Sequence, residues 1–205
     1  MTGKLVIVDY GMGNLHSVMA ALDYLGVSPE VSGEPATVAT ADALILPGVG
    51  SFHKAMERLE SSGLAEAIGE AVTLRRRKIL GICLGQQLMA EHGEEDGART
   101  GLGLIGGRVT RLSREGGRKV PHVGFNQVHY TGDSRLFAGI ASGADFYFVH
   151  SYRLQVQDRP GLSALCDYGG DFVAAYEHEN IFATQFHPEK SQTNGLVLFA
   201  NFLKT

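Results

Sequence analysis

Short apolar runs alternate with helix-like segments through the first half of the chain. Residues 5–8, 43–46 and 79–82 are almost entirely apolar, as in strands that are covered on both faces. Apolar residues three or four positions apart predict helices over residues 15–25, 52–76 and 86–91. The alternation predicts an α/β fold in which a mostly parallel central sheet carries helices on both faces.

Strand-like segments follow one another closely in the second half, with polar or glycine-containing breaks between them. They cover residues 120–130, 146–150, 153–156, 162–168, 172–178 and 181–185. This spacing predicts antiparallel strands that either extend the central sheet or form a small second one. A last helix is predicted at about residues 194–203. Because there is no repeat and no linker, residues 1–205 are expected to form one domain.

Composition and charge exclude several classes of protein. The 205 residues are 44% hydrophobic and carry a net charge of −4, which is typical of a globular protein and not of a nucleic-acid binder. No apolar run approaches the roughly 18 residues of a membrane span. Met1 lies so close to the first apolar run that no secretory leader is expected. The two cysteines predict a reducing, cytoplasmic setting without disulfides.

Cys83 is the first candidate for chemistry. It lies between an apolar strand and a helix pattern and is flanked by Gly81 and Gly85, as in a nucleophile elbow. Small neighbours let the chain double back, and the following helix favours thiolate by its positive end. The N–H of Leu84 is expected to donate to an oxyanion. The alternative is a structural cysteine at a glycine-rich turn, which is the interpretation preferred for Cys166.

His187 is the candidate base. It follows a strand-like segment, and Glu189 can accept from its ring across Pro188, which would fix the tautomer and stabilise the imidazolium. A surface turn with an incidental His and Glu is the alternative.

The other histidines are interpreted as surface or helix-end groups (His16, His53, His92, His129) or as structural or interface groups in strands (His122, His150, His178). Because no Cys/His set has zinc spacing, no metal is predicted.

A second glycine loop follows the second central strand. Residues 47–52 read Pro-Gly-Val-Gly-Ser-Phe and precede a helix pattern. In elbow hydrolases the second oxyanion donor comes from such a strand-to-helix loop, which here points to the N–H of Val49 or Gly50. A tight turn that uses its glycines only for geometry is the alternative.

Together these motifs resemble the class I glutamine amidotransferase family. The residues that carry the likeness are Gly-Ile-Cys-Leu-Gly-Gln-Gln at 81–87, Pro-Gly-Val-Gly at 47–50 and His-Pro-Glu at 187–189. Residues 9–15, 121–126, 146–152 and 187–191 are further similar to the glutaminase subunits of imidazole glycerol phosphate synthases. These segments run from near the first residue to near the last, so the resemblance covers essentially the whole chain.

The resemblance implies a flavodoxin-like fold and the hydrolysis of glutamine. Cys83 would attack the side-chain amide to form a thioester, His187 would protonate the departing ammonia, and water would then release glutamate. Gly48 and Gln87 would contact the substrate, and no cofactor is implied.

The resemblance also implies a partner. A cyclase subunit with a (β/α)8 barrel would form a heterodimer with this chain and use the ammonia to make imidazole glycerol phosphate and aminoimidazole carboxamide ribotide. The chain itself contains no P-loop and no dinucleotide fingerprint. The expected interface residues are Gly11, Met12, Gly13, Asn14 and Phe125, although residues 11–14 could form a plain strand-to-helix turn.

Two positions depart from the family pattern. Gln86 stands where the family often has Met, and Phe125 where it usually has Trp. The first alternative function is another hydrolase of the superfamily, such as a γ-glutamyl hydrolase or a glutaminase of another pathway. The second is a catalytically silent scaffold subunit.

Overall fold

The three apolar runs of the first half form the middle of a seven-stranded sheet. The computed structural model describes residues 3–156 and 160–205. Met1, on which the expectation of no secretory leader rests, lies outside the described residues, as does Thr2. The strands are β1 Leu5–Val8, β2 Glu30–Ser32, β3 Ala43–Gly48, β4 Lys78–Cys83, β5 His92–Gly93, β6 Arg99–Thr100, β7 Arg108–Arg111, β8 His122–Val128, β9 Ala144–His150, β10 Tyr152–Gln155, β11 Leu162–Asp167, β12 Asp171–His178 and β13 Ile181–Thr184.

Helices connect these strands and close the chain. They are α1 Leu15–Tyr24, α2 Pro35–Ala39, α3 Phe52–Ser61, α4 Leu64–Gly69, α5 Leu84–Leu88 and α6 Gln192–Lys204. A π-helical turn, Glu70–Leu74, continues α4, and a 3-10 turn covers Pro188–Lys190. In the described residues no helix combines the length and the apolar character that crossing a membrane requires.

The central sheet is mostly parallel, as predicted. Its strand order is β11-β12-β13-β4-β3-β1-β2, in which β11 and β12 are antiparallel additions at one edge. Because parallel strands point the same way, the carboxyl ends of β1, β3, β4 and β13 meet at one edge of the sheet. The register of β3 and β4 places Gly48 opposite Cys83 at that edge.

Burial on both faces explains the apolar runs. Side chains alternate along each strand, so Val6 and Leu44 face one layer of the core, while Ile7 and Ile45 face the other. Helices α2, α3 and α4 pack on the first layer, and α1 and α6 pack on the second. Both layers exclude water, which stabilises the sheet that carries the site.

Three expectations about local structure were wrong in detail. The helix predicted over residues 52–76 is interrupted at Gly63, whose φ of +75° is left-handed and cannot continue α3. The helix after Cys83 ends at Leu88, because β5 begins only four residues later. The strand expected to stop at Pro47 continues through Gly48.

The strands of the second half both extend the central sheet and form smaller ones, as the sequence allowed, but β13 was wrongly predicted as antiparallel, since it runs parallel to β4. β11 and β12 extend the central sheet, β8 and β9 form a separate two-stranded hairpin, and β10 joins a four-stranded sheet of order β10-β7-β5-β6. Strand β2, helix α2 and the short strands β5 to β7 were not predicted.

Candidate active site

Cys83 lies on a strained turn between β4 and α5. Its φ of +54° and ψ of −108° are unusual for a residue with a side chain, which confirms the predicted elbow geometry. The flanking glycines are required sterically. A Cβ at Gly85 would overlap the carbonyl oxygen of Leu46, and one at Gly81 would lie 2.9 Å from the backbone nitrogen of Gln86. The elbow therefore presents Cys83 at the carboxyl edge of the sheet.

His187 and Glu189 form a buried pair beside this edge. Nδ1 of His187 lies 2.7 Å from Oε1 of Glu189 across the 3-10 turn at Pro188, and the backbone N–H of His187 donates to the carbonyl of Tyr147. The Nε2 atom of His187 is buried and makes no hydrogen bond within the described residues, so it remains free for chemistry.

The charges around His187 favour its protonated form. Burial by itself would lower the pKa of His187, but the charges of Cys83 and Glu189 outweigh burial and raise that pKa to about 10. An imidazolium beside a cysteine sulfur is the arrangement that supports a thiolate nucleophile and can donate a proton to a leaving group.

A cavity of about 310 Å³ opens over Cys83. Of the predicted site residues, it is lined by Val49, Gly50, Cys83, Leu84, Gln87 and His187. Glu189 lies behind His187, and Gly48 lies beside Cys83 in the sheet. The structure thus brings together residues from β3, β4, α5 and the end of β13.

Sequence reasoning missed several residues of the cavity wall. Glu95 lines it from the loop after β5, and its carboxylate accepts a hydrogen bond from the backbone N–H of Phe52 at 3.1 Å. Burial raises the pKa of Glu95 above its ordinary value, although the bond from Phe52 opposes this. Ser151, Tyr152 and Lys190 also line the cavity. Glu95 was missed because the segment around it has no hydrophobic periodicity, so nothing in the local sequence indicates that this glutamate reaches the cavity.

The oxyanion loop is held by the turn that follows β1. The N–H of Val49, one of the two predicted donors, donates to the carbonyl of Met12 at 3.1 Å, so in this conformation it is not available to an oxyanion. The Tyr10 hydroxyl donates to the carbonyl of Pro47 at 3.0 Å. Gly50 follows with a φ of +103°. The predicted interface segment and the predicted oxyanion loop are therefore in direct contact.

An apolar face lies next to the cavity. Val123, Phe125 and Val149 are exposed on the hairpin of β8 and β9, where Val123 pairs with Val149 and Phe125 pairs with Tyr147. The rings of Phe125 and Tyr147 meet edge to face at 5.5 Å. We call Val123, Phe125, Tyr147 and Val149 the hairpin face. In the 11–14 segment, Gly11 is exposed and the other three residues are partly buried.

His122 and His150 fit the prediction that they are structural groups in strands. Both are buried, their rings are joined by a hydrogen bond of 3.0 Å, and burial lowers their pKa values to about 4 and about 3. His150 also borders the cavity. Cys166 is buried too, and burial raises its pKa to about 12. Among residues 3–156 and 160–205, no group of three or more His, Cys, Asp or Glu side chains is placed to hold a metal ion.

Comparisons with known proteins agree with this geometry. The family described as glutamine amidotransferase class-I matches residues 6–205. The chain is 44% identical to imidazole glycerol phosphate synthase subunit HisH 1 of Campylobacter jejuni over 98% of this chain and 99% of that one. It is 46% identical to subunit HisH of Moorella thermoacetica over 97% and 93%.

A solved structure supports the fold alone. A crystal structure of a glutamine amidotransferase superimposes with a TM-score of 0.76 at 19% identity, and the match covers 98% of this chain and 98% of that one. The arrangement of sheet and helices is thus shared with a solved glutamine amidotransferase.

Proposed function

The chain belongs to the class I glutamine amidotransferase family, and from this we propose that it is the glutaminase subunit of an imidazole glycerol phosphate synthase in histidine biosynthesis. The observation that carries the proposal is the 44–46% identity to HisH subunits over nearly the whole chain, and the chemistry rests on the elbow cysteine, Cys83, in one cavity with His187, whose ring is held by Glu189. Residues 1–205 act as a single amidotransferase domain, and the sparing use of cysteine suits a cytoplasmic setting.

The site supports a two-step hydrolysis of glutamine. The Cys83 sulfur attacks the carbon of the side-chain amide, and the C–N bond breaks as His187 gives its proton to the departing ammonia. The resulting glutamyl thioester is attacked by water, whose proton passes to His187. The C–S bond then breaks, releasing glutamate and restoring the thiolate and imidazolium.

Residues of the cavity wall position the substrate. The carboxylate of Glu95 lines the same cavity as the reacting groups and suits the α-ammonium group of glutamine. Gln87 lines the same cavity and offers an amide oxygen to that group. Gly48 lies beside Cys83 with no side chain, because a Cβ there would overlap the hydroxyl of Tyr10.

The oxyanion hole depends on the contact between Met12 and Val49. The N–H of Leu84, at the start of α5, provides one donor. The N–H of Val49 becomes the second only after it leaves the carbonyl of Met12. A partner that moves residues 11–14 would release it, and Gly48 lets the peptide between residues 48 and 49 turn. Gly50 offers its own N–H from the same loop.

The hairpin face and residues 11–14 provide the docking surface for a separate cyclase subunit with a (β/α)8 barrel. The exposed apolar side chains of the hairpin face lie beside the cavity. A partner that covers them would therefore also cover the exit for ammonia. The product ammonia then passes to the cyclase, which makes imidazole glycerol phosphate and aminoimidazole carboxamide ribotide.

Ammonia release from glutamine tests this proposal. The purified chain should release ammonia slowly alone and much faster with the cyclase and its phosphoribulosyl nucleotide substrate. Cys83→Ala should abolish glutamine-dependent synthesis by the complex and spare synthesis from added ammonium salt. Equal ammonia release with and without the cyclase would contradict the coupling, and retained use of glutamine by Cys83→Ala would remove Cys83 from its role.

A further inference from the structure

A buried glutamine that the mechanism has not used lies between the nucleophile and the substrate-binding amide. Gln185 follows β13, is fully buried, and precedes His187 by two residues. Its Nε2 lies 3.7 Å from Sγ of Cys83, which is within hydrogen-bond range for sulfur. Its Oε1 lies 2.9 Å from Nε2 of Gln87. One side chain therefore contacts two groups of the site at once.

The surroundings fix which way each amide points. Nε2 of Gln87 lies 2.9 Å from both Oε1 of Gln185 and the carbonyl oxygen of Tyr152, and each of these positions accepts one of its two hydrogens. With the oxygen of Gln185 committed to Gln87, its NH2 group faces the Cys83 sulfur. Both hydrogens of Gln87 are then used inside the protein, which leaves its oxygen to accept from a ligand.

The backbone holds Gln185 in this place. Its N–H donates to the carbonyl of Ala174 at 2.7 Å, and the preceding strand pairs with β4, so that Thr184 lies opposite Ile82, next to the elbow. If position 185 only had to be filled, an apolar side chain would be enough. A buried amide is unfavourable unless its oxygen and its NH2 group are both hydrogen-bonded. Here both polar ends are directed at residues of the reaction.

We propose that Gln185 is a positioning residue of the glutaminase reaction, in which its NH2 group holds the Cys83 sulfur and its oxygen fixes Gln87 toward the substrate. This inference rests on the proposed role of Cys83. An N–H donor stabilises a thiolate more than a neutral thiol. An oriented Gln87 oxygen favours the α-ammonium group of glutamine.

Two substitutions of Gln185 separate its two contacts. Gln185→Glu keeps an oxygen for Gln87 but replaces the donor at the sulfur with an acid, whereas Gln185→Met fills the volume and removes both contacts. Thr184→Val is the matched control, since this neighbour is equally buried and, among the described residues, its hydroxyl donates only to the carbonyl of Phe186 at 3.0 Å. Thermal unfolding of each variant establishes that it is folded.

The first measurement needs no turnover. The rate of iodoacetamide alkylation of Cys83 is followed against pH in the full chain, with mass spectrometry to distinguish it from Cys166. Gln185→Met should move the midpoint of this profile upward by about one pH unit, because the thiolate loses its N–H donor and no charge is added. Thr184→Val should not move it. A purely structural role for Gln185 would leave the midpoint where it is.

The second measurement uses the complex with the cyclase. Gln185→Met should raise KM for glutamine roughly tenfold, and Gln185→Glu should lower kcat with little change in KM. Gln87→Met should raise KM by a similar factor, and the double variant should add little, because the two amides act as one unit. Gln87→Met also tests the role of the contact between Gln185 and Gln87 when a Gln185 variant fails to fold. An unchanged KM for glutamine in Gln87→Met would overturn the proposed role of that contact.

A folded Gln185→Met with the wild-type alkylation midpoint would overturn the sulfur contact. Should that variant unfold, Gln185→Asn, which retracts the donor, takes its place with the same expected upward shift. Failure of the proposed function would look different: the wild-type complex would show no glutamine-dependent synthesis, while the alkylation profiles would still report on Gln185.

Discussion

Glu189 accepts a hydrogen bond from Nδ1 of His187 at 2.7 Å, and the two side chains are only 1% and 3% exposed. The contact fixes Nδ1 as the protonated nitrogen and leaves Nε2 for chemistry. Since the pKa of His187 is raised to about 10, the ring is an imidazolium in the neutral range and carries its second proton on Nε2. In the proposed reaction this buried carboxylate, which does not line the cavity, would act through the histidine.

Glu189→Gln should lower the pKa of His187 from about 10 toward its ordinary value near 6.5, because a neutral amide no longer stabilises the imidazolium. The ring should then lose its proton at a lower pH, and glutamine-dependent synthesis should fall by roughly 10²–10⁴-fold. NMR titration of the His187 ring measures the first effect, and coupled kinetics measure the second. Glu179→Gln, at an exposed glutamate paired with Arg76, is the control and should change neither.

The elbow glycine nearest to β3 should tolerate no side chain. Gly85→Ala places a Cβ into the carbonyl oxygen of Leu46, so we expect a loss of roughly 3 kcal/mol of unfolding free energy. Chemical denaturation measures it. Gly69→Ala is the control, because Gly69 is helical and nothing lies within 4 Å of its Cβ position. That change should stabilise by roughly 0.5–1 kcal/mol. Equal effects of the two substitutions would contradict the steric argument.

The central sheet and the elbow could be predicted because their signals are local. A strand buried on both faces has to be apolar along its length, which is why β1, β3 and β4 stand out as runs. An elbow needs small residues two positions from its nucleophile, so Gly81 and Gly85 mark it in the sequence.

What could not be predicted depends on partners that are far apart in the chain. β5 and β6 have two residues each, too few for a period; they pair with each other, and only the pairing of β5 with β7 joins them to a larger sheet. Glu95 and Gln185 carry no motif of their own. Their positions in the site follow from segments that meet only in the folded chain, as does the bond that holds the Val49 N–H away from the oxyanion.

Gln86 should be a stability defect. It is fully buried in α5, and neither its amide oxygen nor its amide nitrogen has a hydrogen-bond partner within the described residues. Gln86→Met removes an unsatisfied amide while keeping a similar volume, so we expect a gain of roughly 1–3 kcal/mol in unfolding free energy. Urea denaturation checks this. Gln127→Met, at an exposed position, should be nearly neutral. A loss of stability in Gln86→Met would mean that the amide is satisfied in solution.

Phe125 should contribute to docking of the cyclase. Its side chain is 50% exposed at the centre of the hairpin face, so Phe125→Ala should weaken the complex by roughly 10-fold or more without changing the Tm of the isolated chain. Titration calorimetry with the cyclase measures the affinity. Leu74→Ala is the matched control, because Leu74 is 78% exposed but precedes β4, at the edge of the sheet opposite Cys83. Equal weakening by both would argue against a docking role for the hairpin face.

Glu177 should make stability depend on pH in the acid range. Its carboxylate on β12 accepts hydrogen bonds from the Ser134 hydroxyl at 2.7 Å and from the backbone N–H groups of Arg135 and Leu136 at 3.1 and 3.0 Å. The Arg135 guanidinium adds a salt bridge at 3.0 Å. Burial opposes ionisation, but these donors outweigh it and hold the pKa of Glu177 below its ordinary value.

A lowered folded-state pKa gives stability that is present above the unfolded value near 4.5 and is lost as the pH falls through the folded value. Glu177→Gln should therefore cost roughly 2 kcal/mol at pH 7, and the difference from wild type should shrink progressively below about pH 4.5. Urea denaturation from pH 7 to pH 3 measures this. Glu57→Gln, at an exposed position on α3, should show neither the cost nor its decline. If the loss of unfolding free energy in Glu177→Gln stayed constant down to pH 3, the charge of the Glu177 carboxylate would not contribute to stability.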